Sequence, residues 1–150
     1  MEESLKALKE ALHLKDMDAG MYSPLVLAYM GDAVYELIIR TMVVNEGNIQ
    51  VNKLHKRTSG LVKAEAQARL LMAIEEDLSE EEHAVYKRGR NAKSFSMAKN
   101  ATMKDYRMAT GFEALVGYLY LSEQQERLLA LVSLGLKKIE AIKEEKQDEI

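Results

Sequence analysis

The chain has 150 residues, 47% of them hydrophobic and 30% charged, a composition typical of a globular domain rather than a disordered chain. Cysteine is absent, which excludes disulfides and thiolate metal sites. The formal net charge of −3 argues at first against a nucleic-acid-binding protein, because such proteins usually carry a basic excess.

Good helix formers dominate the sequence, which has eight glycines and one proline, so we expect an all-α fold. We expect residues 1–150 to form a single domain with a polar C-terminal tail from about residue 143. The predicted helices cover, in chain order, residues 2–14, 24–44, 50–74 with an interruption near Gly60, 79–87, 102–121, and a last segment from residue 122.

Cap signals mark the starts of four of these helices. Ser23 precedes Pro24, and serine followed by proline suits the first turn of a helix. Ser79, Thr102 and Ser122 each stand three residues before an acidic residue or a glutamine, which is the capping-box pattern.

The helix predicted over residues 24–44 is apolar on nearly every face, so we expect it to be the central buried element. Asp32, Glu36 and Arg40 interrupt this apolar run, and no run in the chain reaches the ~18 residues of a membrane span. The first residues, MEESLKALKE, lack the apolar core of a signal peptide. We therefore expect a cytoplasmic protein with no membrane segment.

Two acidic residues stand inside apolar helical segments. Asp32 lies in LAYMGDAVYELII and Glu113 lies in MATGFEALVGYLYL, each beside glycine and alanine. A lone ionised carboxylate in such surroundings costs several kcal/mol. The small neighbours would let two helices approach closely and bring the acids together, where they need a shared proton, a cationic side chain or a metal. Oxygen ligands without cysteine favour Mg²⁺ or Mn²⁺.

The alternative for these acids is a structural ion pair. Glu36 lies one turn after Asp32, and Arg40 is available to Glu36 at a spacing of four residues. We prefer the ion pair for Glu36 and the metal site for Asp32 with Glu113.

The charge of the chain is unevenly distributed. Residues 87–107 contain seven lysines and arginines and one acid, a net charge of +6, so the remainder carries −9. Residues 88–101 lack apolar periodicity and are expected to form a loop, and the sequence RGRNAKS suits contacts with phosphate and sugar. A second basic cluster, NKLHKR, surrounds His55. The alternative is a solvated charged loop, but a long single-signed run close to the Glu113 helix favours phosphate binding.

These motifs resemble a known family. LAYMGDAVYEL is similar to the signature helix of the ribonuclease III catalytic domain, and TGFEALVGYLYL is similar to its second acidic helix. More narrowly, NKLHKRTSGLVKAEAQA, EEEHAVYKRGRNAKS and YRMATGFEALVGYLYL resemble the Mini-ribonuclease III branch, which lacks a double-stranded-RNA-binding domain. The resemblance covers roughly residues 20–130.

The resemblance implies a ribonuclease III endonuclease-domain-like helical bundle that cleaves double-stranded RNA as a homodimer with Mg²⁺, for which Mn²⁺ could substitute. It also implies a bacterial role in maturing the ends of the 23S ribosomal RNA precursor, a stem of which would be the substrate. Asp32 and Glu113 take the positions of the family's signature aspartate and second-helix glutamate, so they would be the catalytic residues and the metal ligands.

Two acids of the ribonuclease III pattern are absent. Ala28 stands four residues before Asp32, and Thr110 stands three residues before Glu113. The number of metal ions, and whether water or Thr110 completes the coordination, therefore stay open.

Basic side chains are expected to grip the phosphate backbone of the RNA. The candidates are Lys87, Arg88, Arg90, Lys93, His55 and Lys56. Candidates for the contact between subunits are Tyr22, Tyr29 and Met30.

Two other functions remain as alternatives. The missing acids leave room for a non-catalytic RNA-binding or ribosome-assembly protein on the same fold. Glu10-x-x-His13 and Glu80-x-x-His83 match the Glu-x-x-His spacing of di-iron carboxylate bundles, although both lie in polar surroundings.

Overall fold

A computed structural model describes residues 2–93 and 102–142. Within these ranges the chain is helical, as predicted, with short 3-10 turns at Ala19–Met21 and Glu75–Asp77 and no strand. The polar tail predicted from about residue 143 and most of the predicted loop lie outside the described residues. The helices are α1 (Glu2–Leu12), α2 (Pro24–Glu46), α3 (Val51–Val62), α4 (Ala64–Ile74), α5 (Glu80–Asn91), α6 (Met103–Leu121) and α7 (Gln125–Lys138).

Three of the predicted caps are confirmed. The Ser23 hydroxyl accepts a hydrogen bond from the Val26 amide at 3.3 Å, and the Thr102 hydroxyl accepts one from the Asp105 amide at 3.0 Å. Ser79 forms a complete capping box, in which its own amide also donates to the Glu82 carboxylate at 2.8 Å. These bonds satisfy amides that a helix N-terminus otherwise leaves unpaired.

Two predicted boundaries are wrong. The long helix over residues 50–74 is interrupted at Lys63, where ψ is 156°, and Gly60 stays helical. α5 continues to Asn91, so Arg88 belongs to a helix rather than to a loop. Apolar periodicity missed this extension because the residue that packs there, Gly89, has no side chain to count as apolar.

The cap predicted at Ser122 is also wrong. Ser122 is the C-cap that directly follows α6, and its hydroxyl donates to the Tyr118 carbonyl at 2.6 Å. Glu123 then adopts a left-handed φ of 59°, and α7 starts at Gln125 without a side-chain cap. The apparent cap signal therefore belongs to a helix end, because a serine hydroxyl can equally bond a carbonyl one turn earlier.

The central buried helix is α6, not α2 as the sequence predicted. α6 buries ten of its 19 residues and packs against α2, α4, α5 and α7. α2 buries only one face, and apolar side chains on its other face remain accessible. The most exposed of these are Val26 at 46%, Leu37 at 58%, Val44 at 63% and Tyr29 at 79%. α2 is therefore apolar all round because one face packs in the core and a second apolar face stays accessible to solvent.

Glycines allow α2 and α6 to cross in backbone contact. A Cβ atom added to Gly31 would lie 1.7 Å from the carbonyl oxygen of Glu113, and one added to Gly117 would lie 2.0 Å from the carbonyl oxygen of Leu27. No side chain fits at either position. The crossing therefore depends on a glycine from each helix.

The aromatic core next to this crossing fixes the third helix. The rings of Tyr35 and Phe112 pack edge to face, with their centroids 5.1 Å apart. The Tyr35 hydroxyl donates to the Leu61 carbonyl at 2.9 Å, which ties α2 to the end of α3. In the ranges described, no helix has both the length and the hydropathy that crossing a membrane requires.

We expect Gly31→Ala to lower the free energy of unfolding by about 3 kcal/mol or more, because a methyl group pressed against a backbone carbonyl cannot escape by changing rotamer. Urea unfolding measures this change. Gly60 is the matched control, since a Cβ there meets nothing within 4 Å. Gly60→Ala should raise the free energy of unfolding by about 0.5–1 kcal/mol. Equal effects of the two substitutions would contradict the backbone contact.

Candidate active site

The crossing of α2 and α6 brings the two predicted acids together. Gly31 touches the Glu113 carbonyl, and the carboxyl of the next residue on α2, Asp32, lies close enough to that of Glu113 to interact with it. Asp32 is exposed and Glu113 is half-buried, so the pair opens to solvent from the Asp32 side.

Burial and the neighbouring acid make Glu113 a weak acid. Desolvation is the largest cause, and the hydrogen bond and repulsion from Asp32 add to it, raising the pKa of Glu113 to about 8. The Gln67 amide opposes this shift by donating towards Glu113 Oε2, with 3.5 Å between nitrogen and oxygen. A cation between the acids would release the proton from Glu113 and remove the repulsion.

The two positions where the family's further acids are missing hold a buried alanine and a threonine whose hydroxyl bonds to its own helix. Ala28 is buried in an apolar cluster with Val85 and Ala114, so it faces α5 and α6 rather than water. Thr110 is buried, and its hydroxyl donates to the Tyr106 carbonyl at 3.0 Å. Its hydroxyl hydrogen is therefore committed to the helix backbone.

The structural ion pair predicted for Glu36 is confirmed. Arg40 Nη2 lies 2.9 Å from Glu36 Oε2, one helical turn away. Asp32 does not share this arginine in the described contacts. The two acids of α2 thus have different surroundings, which separates the structural carboxylate from the candidate catalytic one.

The basic end of α5 lies next to the α6 segment that carries Glu113. A Cβ on Gly89 would lie 2.9 Å from the Gly111 Cα and 2.7 Å from the Ala114 Cβ, so the two backbones touch there. Arg88 and Arg90 flank this contact. Arg88 is exposed, while Arg90 is half-buried and its guanidinium lies 5.4 Å from the centre of the Tyr86 ring.

The other predicted RNA contacts divide between two surfaces. Lys87 and Lys93 are exposed at the C-terminal end of α5 and just beyond it. His55 and Lys56 are exposed on α3, and His55 lines a small cavity with Arg40 near the far end of α2. Arg40 lies about 12 Å along the α2 axis from Asp32 at ~1.5 Å per residue, so this second cluster is not at the acidic pair.

Sequence reasoning missed Gln67 and two basic residues. Gln67 is 3% exposed and contacts Glu113. A glutamine four residues before Leu71 on the buried face of an apolar helix is the signal that could have identified it. Lys104 and Arg107 line a cavity of about 550 Å³ together with Arg90, where α4, α5 and α6 meet. They fall within the +6 segment but were not singled out.

The donor set at the acidic pair fits a hydrated divalent cation. Asp32 and Glu113 supply carboxylate oxygens from two helices, which suits Mg²⁺ or Mn²⁺. Gln67 Oε1 is buried next to them with no hydrogen-bond partner in the described part of the chain, and a metal-bound water could donate to it. Residues 2–93 and 102–142 contain no cluster of three or more histidine or carboxylate groups that could hold a metal. The cation would therefore keep several water ligands, as Mg²⁺ commonly does.

The comparison with protein families decides the identity of this fold. The ribonuclease III domain matches residues 25–124, which include both acids and the basic segment. The chain belongs to the ribonuclease III family. A crystal structure of a Fusobacterium nucleatum protein has a TM-score of 0.71 and 33% sequence identity, covering 78% of this chain and 93% of that one. The predicted ribonuclease III-like helical fold is therefore confirmed.

Close relatives place this ribonuclease III family member in the narrower branch. A Mini-ribonuclease 3 from Clostridium tetani is 53% identical over 78% of each chain. One from Enterococcus faecalis is 50% identical, covering 81% of this chain and 94% of its own. One from Thermoanaerobacter sp. is 48% identical, covering 93% of this chain and 99% of its own. The resemblance seen in the sequence is confirmed, and the chain is an endoribonuclease of the ribonuclease III type.

The di-iron alternative finds no support in the side-chain contacts. His13 lies beyond the end of α1 with a φ of 53°, so Glu10-x-x-His13 is not one helical turn. His83 Nε2 lies 3.1 Å from Glu75 Oε2, which gives that imidazole a local carboxylate partner.

The raised pKa of Glu113 predicts a pH-dependent stability in the metal-free protein. A carboxyl whose pKa rises from 4.5 to about 8 on folding contributes stability that is fully present below pH 4.5 and is lost as pH approaches 8. In EDTA above pH 8, the free energy of unfolding of Glu113→Gln should therefore exceed that of the wild type by about 1–3 kcal/mol. Below pH 4.5 the two proteins should be similar. Thermal or urea unfolding at both pH values measures the difference.

Glu36→Gln is the matched control for this experiment, because Glu36 is a carboxylate on the same surface that already has Arg40 as a partner. It should show no gain in stability above pH 8. A Glu113→Gln protein that follows the wild-type pH curve would contradict the strained acidic pair.

Proposed function

We propose that the chain is a metal-dependent endoribonuclease that cleaves double-stranded RNA, and that Asp32 and Glu113 form its active site. The single observation that carries this proposal is the carboxylate pair at the α2–α6 crossing, beside the basic end of α5. The acids fit a divalent cation, and the adjacent positive charge fits a phosphate backbone. Family membership gives the reaction class, and the geometry gives the residues.

In this mechanism the two acids have complementary positions. When bound, Mg²⁺ or Mn²⁺ would lower the pKa of a water ligand and offset the charge that develops on the phosphate. Asp32 would hold the cation from the solvent side and Glu113 from the buried side. Glu113 would hold the cation as a carboxylate. Burial and repulsion from Asp32 raise its pKa in the metal-free protein, and a bound cation would offset that repulsion.

The RNA would lie across the basic end of α5. Lys87, Arg88 and Lys93 are exposed there, and Arg90 is held by its stacking on Tyr86. Contacts of this kind read the shape of an A-form duplex and its phosphates rather than its base sequence. His55 and Lys56 would contact the duplex on a separate surface, farther along the RNA.

We also propose that the enzyme works as a homodimer formed through the uncovered face of α2. Tyr29, Leu37 and Val44 are exposed at 79%, 58% and 63% on this face, a large apolar area for one helix. Of the residues predicted for this contact, Tyr29 is the most exposed, while Tyr22 and Met30 are half-buried. Asp32 lies on the same helix, so the two active sites would flank the contact and each would cut one strand.

The physiological substrate we propose is a stem of the 23S ribosomal RNA precursor, matured in the bacterial cytoplasm. The relatives named Mini-ribonuclease 3 support this choice of branch. A precursor stem is a long duplex, which suits a basic surface that contacts phosphates and a dimer that cuts both strands.

We expect Asp32→Asn and Glu113→Gln to cut the cleavage rate of a precursor stem at least about 100-fold while leaving RNA binding largely intact, because each removes one ligand of the cation. Single-turnover cleavage with Mg²⁺, with end mapping on both strands, measures the rate. Glu36→Gln should cleave at the wild-type rate, since that carboxylate pairs with Arg40. Wild-type cleavage by folded Asp32→Asn, or no cleavage by the wild type, would contradict the proposal.

We expect the double variant Lys87→Ala/Arg88→Ala to weaken RNA binding and to reduce its salt dependence. Each lost phosphate contact should lower the slope of log K against log salt by about 0.9, a B-DNA value used as a guide. Binding is measured in the Asp32→Asn background so that the duplex stays intact. Lys6→Ala/Lys15→Ala removes two exposed charges from the N-terminal region and should leave the slope unchanged. Equal slopes in both variants would contradict an RNA surface on α5.

A further inference from the structure

A buried glutamine touches the acidic pair from a third helix. Gln67 lies on α4, which packs against α6, and is 3% exposed. Its neighbours on the same face of α4 are apolar, including Leu70, Leu71 and Ile74. A polar side chain in such surroundings costs free energy unless its groups are bonded. Its position therefore needs a reason beyond packing.

The amide of Gln67 has one possible orientation. Its Nε2 donates to the Val62 carbonyl at 2.7 Å, a strong bond at the end of α3. Exchanging the amide oxygen and nitrogen would set two oxygens against each other there, so the nitrogen must face Val62. The second hydrogen of the same nitrogen is then directed at Glu113 Oε2, 3.5 Å away.

This contact is long for a hydrogen bond. Hydrogen bonds in active sites are often long in the unliganded protein and shorten when the site is filled.

Gln67 contacts Glu113 at a site that lacks the two further acids of the ribonuclease III pattern. The residue one turn earlier on α6 is Thr110, whose hydroxyl donates to its own helix backbone, and Ala28 on α2 is apolar. Among the described contacts, the amide of Gln67 is the neutral donor that meets the Glu113 carboxylate. A neutral donor orients a carboxylate without adding a third negative charge to the pair.

We propose that Gln67 is a positioning residue, anchored by the Val62 carbonyl, that holds the Glu113 carboxylate in the orientation required to bind the divalent cation. This inference rests on the proposed metal-dependent function. Outer partners of metal ligands affect metal affinity by about 10- to 100-fold when they are removed.

The test compares two methionine substitutions on α4. Gln67→Met keeps the length of the side chain and removes its donor. Leu71→Met, one turn along the same helix at a fully buried position, is the matched control. Mn²⁺ affinity is measured without RNA, by electron paramagnetic resonance, and the Mg²⁺ requirement and KM for RNA are measured in cleavage. Gln67→Met should bind Mn²⁺ at least about 10-fold more weakly and need correspondingly more Mg²⁺, with KM for RNA within about twofold of the wild type. Leu71→Met should match the wild type.

A second measurement uses the wild-type protein and does not depend on the folding of any variant. In NMR spectra, the Gln67 side-chain amide protons should be shifted on adding Mg²⁺ alone, because the second hydrogen is directed at an oxygen of the carboxylate that would bind the ion. Gln67 side-chain signals that stay unchanged while the backbone amides of Asp32 and Glu113 move would overturn the proposal.

The outcomes separate the two levels of inference. Wild-type Mn²⁺ affinity in Gln67→Met, together with loss of cleavage in Asp32→Asn, overturns the role of Gln67 alone. Retained cleavage in folded Asp32→Asn overturns both the proposed function and this extension of it. Equal weakening of Mn²⁺ binding by Gln67→Met and Leu71→Met shows a general packing effect, and it also overturns the positioning role.

Discussion

Backbone contact between α2 and α6 is the constraint on which the rest of the structure depends. Two long helices touch through Gly31 and Gly117, where a Cβ atom would overlap a carbonyl oxygen of the opposite helix. The core forms next to this contact, where the rings of Tyr35 and Phe112 pack edge to face. The contact also fixes the functional site, because Gly31 contacts the backbone of Glu113 itself. The fold and the acidic pair therefore share one cause.

The acidic pair is costly to the fold and useful for chemistry. Burial and the neighbouring carboxyl raise the pKa of Glu113 to about 8, so the metal-free protein favours its protonated form near neutral pH. In the function proposed here, a cation placed between the acids would reverse that preference. The free energy that the fold loses by bringing two carboxylates together would then contribute to affinity for a metal ion, and polar groups retained at such a cost are common at functional sites. The neutral amide of Gln67, which donates towards Glu113 Oε2, adds no charge to the pair.

Much of this arrangement could be predicted from the sequence, and the failures have physical reasons. Asp32 and Glu113 stand out in the sequence because a carboxylate beside glycine in an apolar helix is costly. Of the glycines next to them, Gly31 is a point of contact between α2 and α6, whereas Gly111 packs against Tyr86 of α5. Sequence periodicity could not show that α2 leaves one face uncovered, because an apolar residue looks the same in a core and on an exposed surface. It also could not extend α5 through Gly89, since a helix that packs by its backbone has no apolar side chain there.

The net charge of −3 acquires a clear meaning in three dimensions. Positive charge is concentrated at the C-terminal end of α5, next to the helix that carries Glu113, while the sequence outside residues 87–107 carries a net charge of −9. We propose that this charge arrangement orients an RNA duplex towards the site and repels it from the acidic faces.

The central claim is that the glycine crossing creates a two-carboxylate site for a divalent cation. A crystal structure of the protein with Mn²⁺, with the ion located by anomalous scattering, tests it most directly. The account predicts a Mn²⁺ peak bound by both Asp32 and Glu113. A catalytically active protein whose Mn²⁺ contacts neither carboxylate, or only one of them, would contradict it.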